Sequence, residues 1–320
     1  MTRFGHTLSS EEHDPVNLVE QARMAEDRGF DFVSISDHYH PWVVEQGHSP
    51  FVWTVLGAIA QATSSIEVGV GVTCPIMRIH PAILAQAVAT TSLMLGDRFN
   101  FGVGTGEALN EHILGHRWPT PETRRLMLDE AIEVMRELWT GETVDHHGRF
   151  YTVENARLFD PPSSSIPVIV SGFGSASVEL AARIGDGFWG HSPDQQVIQD
   201  YRDQGGTGST WAQVNVCWAA DEDDARETVR RQWPNAGLTG QLAQDLPTWT
   251  HFEQATSPLT VEQVTETVPC GPDPSDFVEA AQEFVDAGYD HVYFHQIGDD
   301  QSGFMEFWQD ELAPALRPAA

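Results

Sequence analysis

Short apolar runs alternate with longer stretches in which apolar residues recur every three or four positions, from one end of the chain to the other. That rhythm marks repeated strand–helix units built around a parallel sheet. Eight runs qualify as strands, beginning near Phe4, Phe30, Ile66, Phe99, Ile166, Gly187, Ala212 and His291. Eight units of this kind predict an α/β fold, a (β/α)8 TIM barrel.

The helical stretches carry their own punctuation. Asp14 is placed as an N-cap, Pro15 as the first helical residue and Gly29 as the stop, with Leu18, Ala22 and Ala25 on one face between them. After the fourth strand, Thr-Pro-Glu-Thr opens a segment from Pro121 to Trp139 whose Leu128, Ile132, Met135 and Leu138 form an apolar stripe, so a long helix is expected there. Two excursions interrupt the rhythm, one near 140–165 and one near 234–274, the second with weak helical pieces and many turn residues. Segments this long inside a barrel are more often lids or binding elements than idle connections. No composition shift or linker divides the chain, and residues 1–320 are read as one barrel domain with these two insertions.

Charge narrows the function classes. Forty-seven acidic residues face 17 basic ones, every one of them arginine, for a net charge of −30. Such a surface repels nucleic acid and anionic membrane, so neither is expected as a partner. An acidic, lysine-free composition fits either a soluble acidic protein from a GC-rich genome or, the favoured reading, a protein resembling haloarchaeal ones, where salt screens the self-repulsion. Cys74, Cys217 and Cys270 form no paired motif and read as reduced thiols. The N-terminal MTRFGHTLSSEEHD lacks an apolar signal core, and no run nears the ~18 apolar residues of a membrane span, so a cytoplasmic protein is expected.

In a barrel of this type the residues just after each strand hold the chemistry. Ser36-Asp37-His38-Tyr39-His40-Pro41-Trp42 follows the second strand and concentrates proton-handling groups. Either a general base lies here, or Asp37 caps the next segment and the histidines pack beneath a loop. His38 and His40 could also be two metal ligands, although the absence of lysine leaves out the bridging residue such barrels often use. After the fourth strand, Gly102-Val103-Gly104-Thr105-Gly106-Glu107-Ala108-Leu109-Asn110-Glu111 offers glycines for close approach to a flat or anionic ligand, with Glu107 beside them. Val170-Ser171-Gly172-Phe173-Gly174-Ser175-Ala176 is a glycine-rich turn opening a helix, suited to a phosphate, and His191 follows the next strand. Gly69-Val70-Gly71-Val72-Thr73-Cys74-Pro75 has the small residues a bulge beside a ring requires.

Taken in order, S-D-H-x-x-P-W, G-V-G-T-G-E-A-L-N-E and Ile184-Gly185-Asp186-Gly187-Phe188 resemble the F420-dependent glucose-6-phosphate dehydrogenase group of luciferase-like proteins, over essentially the whole chain. The resemblance implies coenzyme F420 in the barrel mouth over a bulge at Gly71 and Val72, often with a cis peptide. It places the coenzyme phosphate by Gly172, Phe173 and Gly174, with His191 nearby, and lines the ring with Asp37, Thr105, Gly106, Glu107 and Asn110. It implies His38 as the base that takes the hydroxyl proton, Trp42 as substrate shield, and Glu107 as proton donor or orienting group at the reduced ring. A homodimer is the family's habit.

The sequence departs from that pattern where a sugar phosphate would bind. Two lysines and an arginine of the phosphosugar enzymes correspond to Asp194, Ala243 and Thr267 here, although Arg230 or Arg231 could substitute. A phosphate dianion needs charge-assisted donors, so an unphosphorylated alcohol or sugar is the expected substrate of an F420-dependent dehydrogenase or reductase acting on CH–OH groups. F420-dependent glucose-6-phosphate dehydrogenase proper, an FMN-dependent luciferase-like monooxygenase and a His38–His40 metal hydrolase remain as alternatives; no metal is expected in the leading reading.

Overall fold

Asp14 accepts hydrogen bonds from the backbone N–H groups of Val16 and Asn17, and Pro15 supplies the first residue of a helix that runs to Asp27. This is the start predicted from the Asp-Pro pair, and Leu18, Ala22 and Ala25 are the face it buries. The computed structural model describes residues 2–317. The long helix is Pro121–Trp139, capped by Thr120. Burial of Leu128, Ile132, Met135 and Leu138 seats it on the sheet, each contributing about 1.5–3 kcal/mol before side-chain entropy is deducted.

The strands are β1 (Arg3–Leu8), β2 (Phe32–Ile35), β3 (Glu67–Thr73), β4 (Phe99–Val103), β5 (Val144–His147), β6 (Thr152–Ala156), β7 (Val168–Ser171), β8 (Gly187–Gly190), β9 (Ser209–Val216) and β10 (His291–Gln296). Eight of them close a parallel barrel in the order β1-β10-β9-β8-β7-β4-β3-β2. These are the eight predicted strands; β2 and β7 each start two residues later than their apolar runs and β9 three residues earlier than its own. The remaining two, β5 and β6, form an antiparallel hairpin within the 140–165 excursion. The Glu130 carboxylate holds its turn by accepting N–H bonds from Arg149, Phe150 and Tyr151. Tyr151 in turn donates its hydroxyl to the Ile76 carbonyl, in the segment after β3. The 234–274 excursion holds the short helices Leu242–Asp245, Trp249–Thr256 and Val261–Thr265.

Inside the barrel, Phe32, Ile169, Trp189, Trp211 and Tyr293 make a separate buried cluster. Trp189 donates its indole N–H to the Tyr293 hydroxyl at 2.9 Å, which satisfies both polar atoms in the dry interior. Room for this plug comes from the wall: a Cβ on Gly102 would lie 2.7 Å from the Trp189 ring. Among the described residues, no helix is long and apolar enough to cross a membrane.

Candidate active site

Five consecutive strands of the rim, β2-β3-β4-β7-β8, carry the sequence-predicted site residues at or just beyond their ends. On β3 the Gly71–Val72 peptide bond is cis, and the ladder to β4 shifts register between Val70 and Thr73. Val72 faces Gly104, where a Cβ would stand 2.9 Å from its methyl group. Gly106 has φ +70°, and a Cβ there would lie 2.4 Å from the Cys74 sulfur. The β3 and β4 ends therefore approach each other closely, with half-buried Thr105 and Glu107 at the opening.

His38 sits at that opening with 11% of its side chain exposed. Its Nε2 lies 3.3 Å from the Glu11 carboxylate, and its Nδ1 lies 3.2 Å from the His40 carbonyl and 3.1 Å from the Asn110 amide nitrogen. Asn110 is oriented by accepting the backbone N–H groups of Tyr39 and His40 at Oδ1, which turns its amide nitrogen toward His38 and, at 3.4 Å, toward Glu107. In the neutral ring Nδ1 can accept from the Asn110 amide; on protonation Nδ1 instead donates to the His40 carbonyl, giving up the Asn110 bond, while Nε2 donates to Glu11. That is the state a general base reaches after taking a proton. Burial pushes the Glu11 carboxyl up, but the His38 charge and the Ser36 hydroxyl bond outweigh it, and the group lies below its ordinary value. Trp42 completes this side, its ring 4.9 Å from His38 and 5.0 Å from Phe252.

Asp37 does not stand free. Its carboxylate accepts from Thr73 Oγ1 at 2.8 Å and from Arg78 at 2.9 Å, and Arg78 also bonds Glu111 through its Nε at 3.3 Å and its backbone N–H at 2.8 Å. All three side chains are almost completely buried. Burial pushes Glu111 up to about 7, more than Arg78 and its N–H draw it down. A carboxyl raised on folding stabilises the protein at low pH, and that contribution is lost as pH rises from about 4.5 through about 7. Between those limits wild type is therefore expected to lose stability relative to Glu111→Gln. Melting temperatures of the two at pH 5 and pH 7.5 check this, and a constant difference between them would refute it.

His40 turns away from His38, its Nδ1 3.0 Å from the Leu109 carbonyl. Among the described residues there is no group of three or more His, Cys, Asp and Glu side chains that could hold a metal ion.

On the β7 and β8 side, Gly174 has φ +84° and stands before the helix Ser175–Ile184 with no side chain to cap it. The first N–H groups of that helix are left for an outside acceptor. Phe173, 62% exposed, stacks on His191 with ring centroids 3.7 Å apart, and His191 Nε2 lies 2.8 Å from Ser171 Oγ. The positions compared with phosphosugar enzymes carry no cation toward Trp42. Asp194 caps the helix Gln195–Asp203, Ala243 packs in the apolar cluster around Trp42, and Thr267 is exposed. Arg230 and Arg231 pair with Glu227 and Glu45.

Sequence reasoning missed Glu11, Arg78 and Glu111 as parts of this constellation. It also missed a second buried pair, Glu12 with His295 at 2.6 Å. For Glu11 and Glu12 a signal existed, since Ser-Ser-Glu-Glu-His directly follows β1, one of the strand ends that a barrel makes worth reading.

The chain matches the family described as luciferase-like monooxygenase over residues 1–291. It is 36% identical to the F420-dependent glucose-6-phosphate dehydrogenase of Segniliparus rotundus over 330 residues, covering 98% of each chain. Its identity to the enzyme of the same name from Microbacterium testaceum is 34% over 328 residues, 98% of this chain and 97% of that one. Among solved structures it superposes on an F420-dependent secondary alcohol dehydrogenase in complex with an F420–acetone adduct, with TM-score 0.90, 29% identity and 99% of each chain covered. The F420-dependent tetrahydromethanopterin reductase of Methanopyrus kandleri shares the fold, with TM-score 0.79, 22% identity and 99% of each chain covered.

Proposed function

Because the chain belongs to the luciferase-like monooxygenase family, and from the arrangement at its barrel mouth, we propose that it is an F420-dependent oxidoreductase moving a hydride between an alcohol carbon and the deazaflavin. The observation that carries the reading is His38 held among Glu11, Asn110 and Trp42 at the open end of the barrel. The donor set fits the coenzyme: an uncapped helix start at Gly174 for a phosphate, and the close-set Val72 and Gly104 as an apolar surface for a planar ring. Gly71, Val72, Thr105, Gly106, Glu107 and Asn110 would hold the ring, and Gly172, Phe173, Gly174 and His191 the phosphate end. When bound, the coenzyme supplies a ring carbon that accepts or returns hydride.

The chain's own part is proton handling and shielding. An alcohol losing hydride must also lose its hydroxyl proton, and His38 takes it, with Glu11 beside the resulting imidazolium. Trp42 covers the substrate and excludes water, while Asn110 ties the orientation of His38 to that of Glu107. Asp37, bonded to Arg78 and Thr73, serves to brace the ends of β2 and β3 under the ring.

Substrate choice follows from the wall around Trp42. Leu238, Ala243, Leu246 and Phe252 are apolar, and the aligned cations of the phosphosugar enzymes are absent. An unphosphorylated carbinol therefore fits better than glucose 6-phosphate. Titration with F420 and with FMN at high salt should give tighter binding of F420, and the bound coenzyme should lose its absorbance with neutral alcohols but not with glucose 6-phosphate. Preference for FMN with oxygen consumption would establish the monooxygenase reading instead. The same reading takes the 320 residues as one domain with two insertions and the protein as a homodimer, the habit of the resembled family; the net charge of −30 with arginine as the sole cation supports a salt-rich cytoplasm as its setting.

A further inference from the structure

The 234–274 excursion meets the candidate site on one side and a buried arginine on the other. Its helix Leu242–Asp245 lies against the helix Ala108–Glu111, which carries Asn110. Toward the site the contact is apolar: Leu238, Ala243 and Leu246 pack with Trp42 on Val43, Leu109 and Phe252. Behind it the contact is polar. Arg124, 1% exposed, donates to the Pro119 carbonyl and to Gln244 Oε1, each at 2.9 Å, with Asp245 Oδ1 3.9 Å away. Its guanidinium lies 4.3 Å from the Trp118 ring centroid, and the Trp118 indole donates to Asp245 Oδ1 at 3.1 Å.

A cation taken this far out of water stays there only where partners compensate its lost hydration. Here the partners come from two segments, Trp118 and Pro119 from one, Gln244 and Asp245 from the other. If the 242–245 helix lifted away, the guanidinium would lose half of them, so arginine and helix stay closed together.

We infer that Trp118, Arg124 and Asp245 form a clasp that holds residues 238–246 against Trp42, which makes Arg124 a positioning residue for the alcohol; the substrate part of this rests on the function proposed above. The clasp touches neither His38 nor the coenzyme surface. It fixes the wall against which the alcohol is pressed toward His38, and so acts on substrate binding more than on the chemical step.

The test combines steady-state kinetics, with F420 and propan-2-ol at high salt, and hydrogen exchange of residues 238–246. Asp245→Asn keeps the side-chain shape and removes the charge. It should raise KM for propan-2-ol about five- to tenfold while kcat and the F420 Kd shift less than about twofold, and exchange at 238–246 should quicken. Arg124→Gln should do the same more strongly, with Arg124→Lys between it and wild type. Asp245 is half exposed, so its variant keeps the test open if Arg124→Gln fails to fold. Wild-type KM and exchange in Asp245→Asn, or a fall in kcat with KM unchanged, would overturn the clasp. A wild-type protein that reduces no F420 with any alcohol overturns the function proposed above and the substrate clause with it; faster exchange at 238–246 in the variants would then still support the clasp, and unchanged exchange would overturn it.

Discussion

His38→Ala is expected to lower kcat for alcohol oxidation by about 10²–10⁴-fold, the usual worth of a positioned general base, while the F420 Kd stays within about threefold of wild type. The separation follows from position. His38 contacts Glu11, His40 and Asn110 at the end of β2, and of these only Asn110 is also assigned to the coenzyme, whose other residues lie at or beyond the ends of β3, β4, β7 and β8. Alanine leaves Asn110 its two backbone N–H donors, so the neighbouring loop keeps its shape. Coenzyme binding followed by fluorescence and turnover followed by absorbance check the two halves independently. Near wild-type turnover would remove His38 from the role of base.

The largest effect on stability is expected at Arg78, where replacement by methionine should cost about 3–5 kcal/mol. That is a large share of the ~5–15 kcal/mol that holds a typical domain folded. The reason is what remains behind: Asp37 and Glu111, both almost fully buried, would face each other without the cation between them. Arg78 joins three separate strand ends, those of β2 through Asp37, β3 through its own backbone and β4 through Glu111. The loss should therefore also weaken F420 binding. Urea denaturation at fixed salt measures the stability term, and a change below about 1 kcal/mol, the range of exposed ion pairs, would show that the network does not brace the rim.

The barrel was legible because its signals are local. Eight apolar runs separated by amphipathic stretches specify the strands, and Asp14-Pro15 and Thr120-Pro121 specify two helix starts. The hairpin β5–β6 was not legible. Its strands hold only four and five residues, among them Asp145, two histidines and Glu154, and what fixes the turn is a carboxylate, Glu130, on another element. Arg78 shows the same limit within the site. Nothing around it in Pro-Ile-Met-Arg-Ile-His indicates that its partners lie 41 positions before it and 33 after it. That His38, Trp42, Glu107 and Asn110 stand together was foreseeable, because each belongs to a dense motif at a strand end. Glu11 belongs to one too, but nothing in Ser-Ser-Glu-Glu-His shows that His38, 27 positions later, lies beside it.

The aromatic side chains that fill the barrel make its mouth a cul-de-sac. Nothing passes through from the far end, so under the proposed function reactant and product share one doorway on the Trp42 side. The expected consequence is that accumulated product competes with fresh reactant for the same space.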